Sequence, residues 1–275
     1  MFESNNKIYK DLPNTFIKED ISNLLIVFNP NWKNIAVNLS GGADSALLTY
    51  LLCHIIKKHN LTTKVNVITY QRCWTTRPWQ GWWSVQVLNK LKEYFPDIIN
   101  ERITTYIPPE LEYGVSGPII DGRSGDQIIV GSFNKFAAWE YNLDAVFNAT
   151  SKNPENDNRK DRMDNRDGDA EDAKLDELWG RRKGLDTVFA HPFRFVQKDW
   201  IVAQYHIYNI LDLYEQTRSC EGDIELDPEI KEIVNSFSHY KPGMHIPTCG
   251  KCWWCYEREW ADSRVEQVIK EIKNV

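Results

Sequence analysis

The sequence contains no run of about 18 consecutive apolar residues, the length that is typical of a membrane-spanning helix. Its first residues, MFESNNKIYKDLPN, lack the basic segment followed by an apolar stretch that characterises a secretory signal peptide. We therefore expect a cytoplasmic protein with no membrane partner. No internal repeat is visible, and a chain of 275 residues suffices for one large domain or one domain with an appendage.

An excess of basic residues is also lacking, since the net charge is −6 and the isoelectric point is about 5.6. Non-specific binding to nucleic acid needs a basic surface, so we expect no strong nucleic-acid binding, although a local basic patch stays open. The chain has six cysteine residues. In a cytosolic chain, such cysteines are more often metal ligands or reduced core residues than disulfides.

The most informative stretch is 34–50, NIAVNLSGGADSALLTY. Its apolar residues Ile35, Val37 and Leu39 predict a buried strand, the glycines after them predict a tight turn, and the apolar spacing beyond Ser45 predicts a helix to about His59. The lysine and hydroxyl residue that end a Walker A loop are lacking.

This loop is suited to bind phosphate. Glycines let the backbone approach a ligand closely, and a helix start offers unpaired N–H groups and the positive end of its dipole. The Asp44 carboxylate could hold the Mg²⁺ that accompanies a triphosphate. The alternative is an ordinary turn between a strand and a helix. The predicted phosphate-binding residues are Ser40, Gly41, Gly42, Ala43, Asp44 and Ser45.

Strand and helix patterns alternate along the rest of the chain. Further strands are predicted at 64–70, 101–106, 143–149 and 189–195, and helices at 16–27, 85–94, 127–141 and 198–211. Such alternation predicts an α/β fold with a parallel five-stranded, Rossmann-like sheet and helices on both faces, whose ligands bind at the carboxyl ends of the strands. Tyr70, Gln71 and Arg72 end or follow the second strand, so they are candidates to contact ATP.

Two further segments have alternative interpretations. A tryptophan cluster follows the second strand and could stack a heterocyclic base or pack in the core; it comprises Trp74, Trp79, Trp82 and Trp83. The charged stretch 151–184 has too few apolar residues to form a core face, and could be a solvated loop or a lid over the site. Its candidates to meet phosphate or carboxylate are Arg159, Lys160, Arg162 and Arg166.

Near the C-terminus, Cys249, Cys252 and Cys255 form a CxxCxxC motif whose two-residue gaps let thiolates converge on one metal. Tetrahedral zinc needs a fourth ligand, for which Cys220 is the first candidate and His245 the second. An iron–sulfur cluster is the alternative, because it also uses thiolates. A zinc ion with four thiolates would be structural and would leave no position open for water. The two other cysteines, at positions 53 and 73, are predicted to be ordinary residues.

These motifs together resemble the 7-cyano-7-deazaguanine synthase (QueC) family of the N-type ATP pyrophosphatases, or PP-loop superfamily. SGGADS matches SGGxDS, ITYQRC is similar to DYGQRH, and HPFRFVQKDWIV is similar to TPLxxLxKxEIV, which aligns Lys198 with the family lysine. LYEQTRSC resembles TxSCY, and CGKCWWCYER fits CGxCxxCxxR, including Arg258. The chain departs from the family at Glu221, where the family has Tyr, and no counterpart of the YPDCR loop around the substrate is present.

The resemblance implies an ATP-dependent ligase of queuosine biosynthesis. Such an enzyme adenylates the carboxylate of 7-carboxy-7-deazaguanine, lets ammonia displace AMP to give an amide, and dehydrates the amide to the nitrile with a second ATP. It implies ATP, Mg²⁺ and Zn²⁺ as cofactors, catalytic roles for Asp44 and Lys198, and a zinc site of Cys220, Cys249, Cys252 and Cys255.

We therefore predict an ATP-binding domain over residues 1–214, with the insertion 151–184, and a small helical zinc lobe over 215–275. The expected partners are a deazapurine carboxylate and ammonia, and a homodimer stays open. The same loop is compatible with two different functions. One is adenylation of another substrate, either a tRNA base to be thiolated or a protein carboxylate. The second is that of an ATP-binding paralogue without catalytic activity.

Overall fold

The computed structural model describes residues 9, 12–71, 80–107, 125–154, 166, 179–181, 184–220 and 248–274. Strands and helices alternate through most of these residues. In chain order the elements are β1 (Ile17–Ile21), β2 (Leu24–Phe28), β3 (Asn34–Asn38), α1 (Ala43–Lys58), β4 (Lys64–Gln71), α2 (Gln80–Tyr94), β5 (Ile99–Tyr106), α3 (Gly125–Glu140), β6 (Ala145–Phe147), β7 (Trp179–Arg181), β8 (Val188–Ala190), α4 (Lys198–Ile207), α5 (Leu211–Glu215) and α6 (Trp253–Lys273).

The central sheet has the strand order β5-β4-β3-β6-β8-β7. The first five of these strands are parallel, which confirms the predicted α/β class. Strand β7 is antiparallel to β8 and was not predicted, so the sheet has six strands instead of five. It lies inside the charged stretch, where Trp179 stacks on Trp32 with ring centroids 5.2 Å apart. One large aromatic side chain thus packs this short strand against the core, although most of the charged stretch is polar.

The helix predicted over 16–27 is wrong. Strands β1 and β2 form an antiparallel hairpin there, with Ile21 paired to Leu24. The two residues between the strands, Ser22 and Asn23, have φ angles of 49° and 73°. Two successive positive φ angles are typical of the type I′ turn, whose twist matches that of paired strands.

Both faces of the sheet are covered, as a mostly parallel sheet requires. Ile35 and Val37 of β3 pack in the cluster that includes residues of α1, whereas Ala36 packs in the cluster that includes residues of α3. Helix α6 packs on α4, and its residues Ala261 and Val265 belong to the larger cluster. The division into an ATP-binding domain and a zinc lobe stays a prediction.

The helix predicted over 198–211 is two helices. Helix α4 ends at Ile207, and α5 begins at Leu211. Asn209 lies between them with a φ of 54°, a value that asparagine adopts more readily than most residues and that ends a right-handed helix. Within the described residues, no helix combines the length and the apolar character that crossing a membrane would need.

Candidate active site

The loop between β3 and α1 passes very close to the start of α2. Gly41 has a φ of 81°, which favours glycine. A Cβ atom on Gly41 would lie 2.8 Å from the nitrogen of Ser84 and 2.9 Å from the carbonyl carbon of Trp83. Both the positive φ angle and the lack of space for a Cβ atom therefore require glycine at this position.

Hydroxyl groups stabilise the loop from inside. The Oγ atoms of Ser40 and Ser45 lie 3.1 Å apart. The nitrogen of Gly42 donates to Ser40 Oγ over 3.3 Å, and Ser45 Oγ donates to the Gly42 carbonyl over 3.1 Å. Gly42 is the N-cap of α1 and has no side chain with which to cap it. The first turn of α1 is thus a suitable anion site in a rigid loop.

Two later segments hold the loop from outside. The nitrogen of Arg218 donates to the Gly41 carbonyl over 2.8 Å, and the Tyr205 hydroxyl donates to the Ala43 carbonyl over 2.6 Å. The Arg218 guanidinium also lies 5.9 Å from the ring centroid of Trp83. The segment TRSC, which ends at Cys220, therefore packs against the loop.

Next to the loop, five side chains form a closed ring of polar contacts. Lys198, at the start of α4, forms an ion pair with Asp44, and its Nζ lies 3.8 Å from Glu257 Oε2. Glu257 Oε1 lies 2.5 Å from Arg166 Nη2. Arg166 Nη2 donates to Ser151 Oγ over 2.9 Å, and Ser151 Oγ donates to Asp44 Oδ2 over 3.0 Å. We call these five residues the charge ring.

The charge ring is buried and contains two carboxylates and two cations. The side chains of Lys198, Arg166 and Glu257 are at most 3% exposed, whereas that of Asp44 is 18% exposed. Burial raises the pKa of Glu257, and the cations Lys198 and Arg166 oppose this increase. Balanced charges reduce the cost of burying each of them. Asp44 is the carboxylate of the ring that a solvent cation can reach.

The four predicted thiols lie together, with all Sγ atoms within 4.8 Å of one another. The separation is 3.6 Å for Cys220 and Cys249, 3.6 Å for Cys252 and Cys255, 3.9 Å for Cys249 and Cys255, and 4.0 Å for Cys220 and Cys252. Four sulfurs at about 2.3 Å from one tetrahedral zinc are about 3.8 Å apart. The donor set therefore fits a single metal ion.

The surroundings favour the thiolate form of Cys220. Hydrogen bonds from Cys252 and Cys255 lower the pKa of Cys220 to about 3, and hydrogen bonds with Cys220 and Cys252 raise the pKa of Cys255. The backbone nitrogen of Cys249 also donates to Cys220 Sγ over 3.3 Å, and that of Cys252 donates to Cys249 Sγ over the same distance. Trp253 lies between Cys252 and Cys255 in the sequence, and its ring centroid is 4.7 Å from the Arg166 guanidinium carbon. The first turn of α6 therefore contacts the charge ring through Trp253.

Two of the other predicted ATP-binding residues, Tyr70 and Gln71, lie at the end of β4. Tyr70 is buried beneath α3, and its hydroxyl lies 2.7 Å from Asn134 Oδ1. Gln71 is half-buried next to Gly81 at the start of α2. Trp82 and Trp83 lie in α2. Their roles stay predictions. The candidates outside the described residues are Arg72, Cys73, Trp74, Trp79, Arg159, Lys160, Arg162, Glu221 and His245.

Sequence reasoning overlooked Glu257 and Ser151. For Glu257 the sequence does contain a signal, because a spacing of four residues places Trp253, Glu257 and Ala261 on one face of α6. All three are buried in the structure. A glutamate on the apolar face of a helix indicates a buried partner charge. For Ser151 we find no such signal. Arg166, one of four candidates for an anion, contacts the carboxylate of Glu257.

Comparisons with known proteins give only distant likenesses. No family model matches the sequence, and no curated protein matches it. Among solved structures, the chain is similar to the U34-tRNA thiolase NcsA from Methanococcus maripaludis with its 4Fe-4S cluster, at 14% identity and a TM-score of 0.45, over 99% of this chain and 80% of that chain.

It is also similar to phosphoadenylyl-sulfate reductase from Candida auris in a phosphate complex, at 12% identity and a TM-score of 0.35, over 70% of this chain and 82% of that chain. At such low identities and TM-scores, neither likeness indicates the activity, substrate or cofactor of this chain. The function therefore has to be argued from the loop, the charge ring and the thiols.

Proposed function

We propose that this protein is an ATP-dependent ligase that adenylates a carboxylate. The observation that carries the proposal is the ion pair of Asp44 and Lys198 at the glycine-rich start of α1. A loop that fits an anion, a carboxylate for a cation and a lysine for phosphate are the groups that binding a metal–nucleotide requires.

On binding Mg²⁺ and ATP, Asp44 would exchange Lys198 for the metal ion. Mg²⁺ is usually held by one or two carboxylates together with substrate phosphates, and Asp44 is the more exposed carboxylate of the charge ring. Lys198 would then neutralise charge on the phosphates. The first turn of α1 would hold the β and γ phosphates through its N–H groups. The site thus supplies alignment and electrostatic stabilisation.

The reaction begins with two substitutions. An oxygen of the substrate carboxylate bonds to the α-phosphorus, the bond from that phosphorus to the β-phosphate oxygen breaks, and pyrophosphate leaves. Ammonia then attacks the acyl carbon, AMP leaves, and loss of a proton gives the amide. The amide oxygen then bonds to the α-phosphorus of a second ATP and pyrophosphate leaves; loss of both N–H protons and departure of AMP give the nitrile.

For the substrate we propose 7-carboxy-7-deazaguanine, as in the QueC family. The support is the order of the motifs along the chain, namely the SGGADS loop, Lys198, Cys220 and the string CGKCWWCYER. The ATP chemistry rests on described residues, whereas the substrate rests on the resemblance.

For the four thiols we propose structural zinc. The support is their spacing, which fits ligands of one ion, whereas in an iron–sulfur cluster the thiolates bind different iron atoms. Zinc with four thiolates leaves no position for water, so it would organise the start of α6 and take no part in the chemistry.

The test is mass spectrometry of reactions with ATP, Mg²⁺, ammonium and 7-carboxy-7-deazaguanine. We expect AMP, pyrophosphate and the nitrile. AMP with the amide alone would identify an amide synthetase, and ATP binding without release of pyrophosphate would identify a non-catalytic paralogue. If turnover occurs only with tRNA, or only with a protein carboxylate, that molecule and not the deazapurine is the substrate. Iron and a brown colour in the purified protein would favour tRNA thiolation and an iron–sulfur cluster over zinc.

A further inference from the structure

Lys198 lies between two carboxylates that belong to distant parts of the chain. It forms an ion pair with Asp44 of the loop, and its Nζ lies 3.8 Å from Glu257 Oε2 of α6. Among the described residues, Glu257 Oε2 has no hydrogen-bond partner. The contact with Arg166 is made by the other carboxylate oxygen, Oε1. One oxygen of Glu257 is therefore directed toward Lys198.

The proposed ATP chemistry requires Asp44 to leave Lys198 and bind Mg²⁺. Lys198 is buried, with 3% of its side chain exposed. A buried ammonium without a counter-ion is unfavourable, so Lys198 would tend to move away from the loop before the phosphates bind it. Glu257 is the carboxylate that can retain Lys198 during this exchange, because it is fully buried and does not face the solvent cation.

We propose that Glu257 is a positioning residue that holds Lys198 close to the phosphates after Asp44 has turned to the metal. This inference rests on the proposed function. Arg166 supports Glu257 from the other side, through its contact with Oε1 and its hydrogen bond of 2.6 Å to the Ser151 carbonyl. The charge ring thereby connects the insertion and α6 to the nucleotide loop.

Other contacts fix α6 independently of Glu257. Arg264 Nε lies 2.8 Å from Asp199 Oδ2 at the start of α4, and the Tyr214 hydroxyl donates to Asp262 Oδ1 over 2.7 Å. We therefore expect the variant Glu257→Gln to keep the position of α6 while it removes one negative charge.

The experiment compares Glu257→Gln with the matched control Glu259→Gln in the full-length protein, with zinc bound at the four thiols. Glu259 lies in the same helix and is exposed. The first readout is the rate at which acetic anhydride acetylates Lys198, followed by peptide mass spectrometry, with each variant combined with Asp44→Asn to remove the other counter-ion. The second is the steady-state kinetics of pyrophosphate release with Mg²⁺ and ATP. Metal content and the melting curve verify that both variants are folded.

We expect Glu257→Gln to increase acetylation of Lys198 at least threefold and to lower kcat for pyrophosphate release at least tenfold. KM for ATP should stay within about threefold, because a group that acts mainly on the transition state changes kcat and not the uniform binding. Glu259→Gln should behave as the wild type. A merely structural glutamate would lower the melting temperature and leave kcat of the folded protein unchanged.

Unchanged acetylation of Lys198 in folded Glu257→Gln would overturn the inference, whatever the activity. Absence of pyrophosphate release from the wild type would overturn the proposed function, and the acetylation would still decide whether Glu257 holds Lys198. If Glu257→Gln does not fold, Glu257→Asp replaces it. Aspartate keeps the negative charge, but its side chain is one methylene shorter, so its carboxylate lies farther from Lys198. Acetylation equal to that of the control would then overturn the inference, and an increase of at least twofold would support it.

Discussion

A Cβ atom on Gly41 would lie 2.8 Å from the backbone nitrogen of Ser84, closer than Cβ atoms approach in real proteins. The nucleotide loop and the first turn of α2 are therefore in direct backbone contact. The loop, α2 and β4 all contribute residues to one core. Neither backbone can therefore move away without disturbing the packing of α2 on β4.

This contact predicts that Gly41→Ala destabilises the protein more than alanine at another glycine with positive φ. Gly184 is the matched control, because its φ is 84° and an added Cβ would have no neighbour within 4 Å. We expect Gly184→Ala to cost about 1 kcal/mol for the backbone angle, and Gly41→Ala to cost about 2 kcal/mol more for the overlap. Urea unfolding measures both, and equal losses would contradict the close contact.

The ion pair of Asp44 and Lys198 predicts strong coupling in a double-mutant cycle. Removing one partner of a buried pair leaves the other charge uncompensated, so Asp44→Asn and Lys198→Met should each cost about 3 kcal/mol of unfolding free energy. The double variant should cost at least about 1 kcal/mol less than the sum. The exposed ion pair of Lys58 and Glu19 supplies the control, because Lys58 has a side chain that is 52% exposed and Lys58→Met should cost under about 1 kcal/mol.

The proposed catalytic role of Asp44 predicts that Asp44→Ala slows pyrophosphate release at least tenfold, which corresponds to about 1.4 kcal/mol of activation free energy. The control is Asp97→Ala, because Asp97 is exposed and lies between α2 and β5. Release of pyrophosphate is followed with a coupled phosphate assay at saturating Mg²⁺. Activity of Asp44→Ala within about twofold of the wild type would exclude Asp44 as the metal-binding carboxylate.

The spacing of the four thiols predicts about one zinc ion per chain, measured by elemental analysis. Cys252→Ala should abolish retention of this ion and lower the melting temperature, because structural zinc can supply on the order of 10 kcal/mol to folding. Cys53→Ala is the control, since Cys53 is buried in α1 and lies outside the thiol cluster. Full metal content in Cys252→Ala would exclude the proposed ligand set.

The position of Arg166 predicts that lysine cannot replace it. Its guanidinium contacts Glu257 and the Ser151 carbonyl and lies 4.7 Å from the centroid of Trp253. A lysine cannot make these planar contacts together, so Arg166→Lys should cost about 2 kcal/mol of unfolding free energy.

The matched control is Arg264→Lys. Arg264 also contacts a carboxylate, that of Asp199, and a tryptophan ring, but its side chain is 33% exposed. We expect a loss under about 1 kcal/mol, measured by urea unfolding at equal ionic strength. A larger loss for Arg264→Lys than for Arg166→Lys would contradict the importance assigned to the charge ring.

The sequence by itself determined the local elements whose patterns are short-range. The apolar run from Ile35 to Leu39, the glycines after it and the helical spacing beyond Ser45 predicted β3, its loop and α1. The spacing of three cysteines indicated a thiol site, because a gap of two residues brings neighbouring thiols together in any tight turn. The hairpin of β1 and β2 was not recognised, because its signal is the positive φ of Ser22 and Asn23, which neither residue type requires.

Only the tertiary structure decided how the charges are paired. Asp44 and Lys198 are 154 positions apart, and Arg166 and Glu257 are 91 positions apart. They meet because the parallel order of β3, β6 and β8 brings the segments that follow these strands to one edge of the sheet, and because α6 packs on α4. A single sequence records which residues are charged, whereas the pairing of charges depends on this long-range packing and on the burial that excludes water from them.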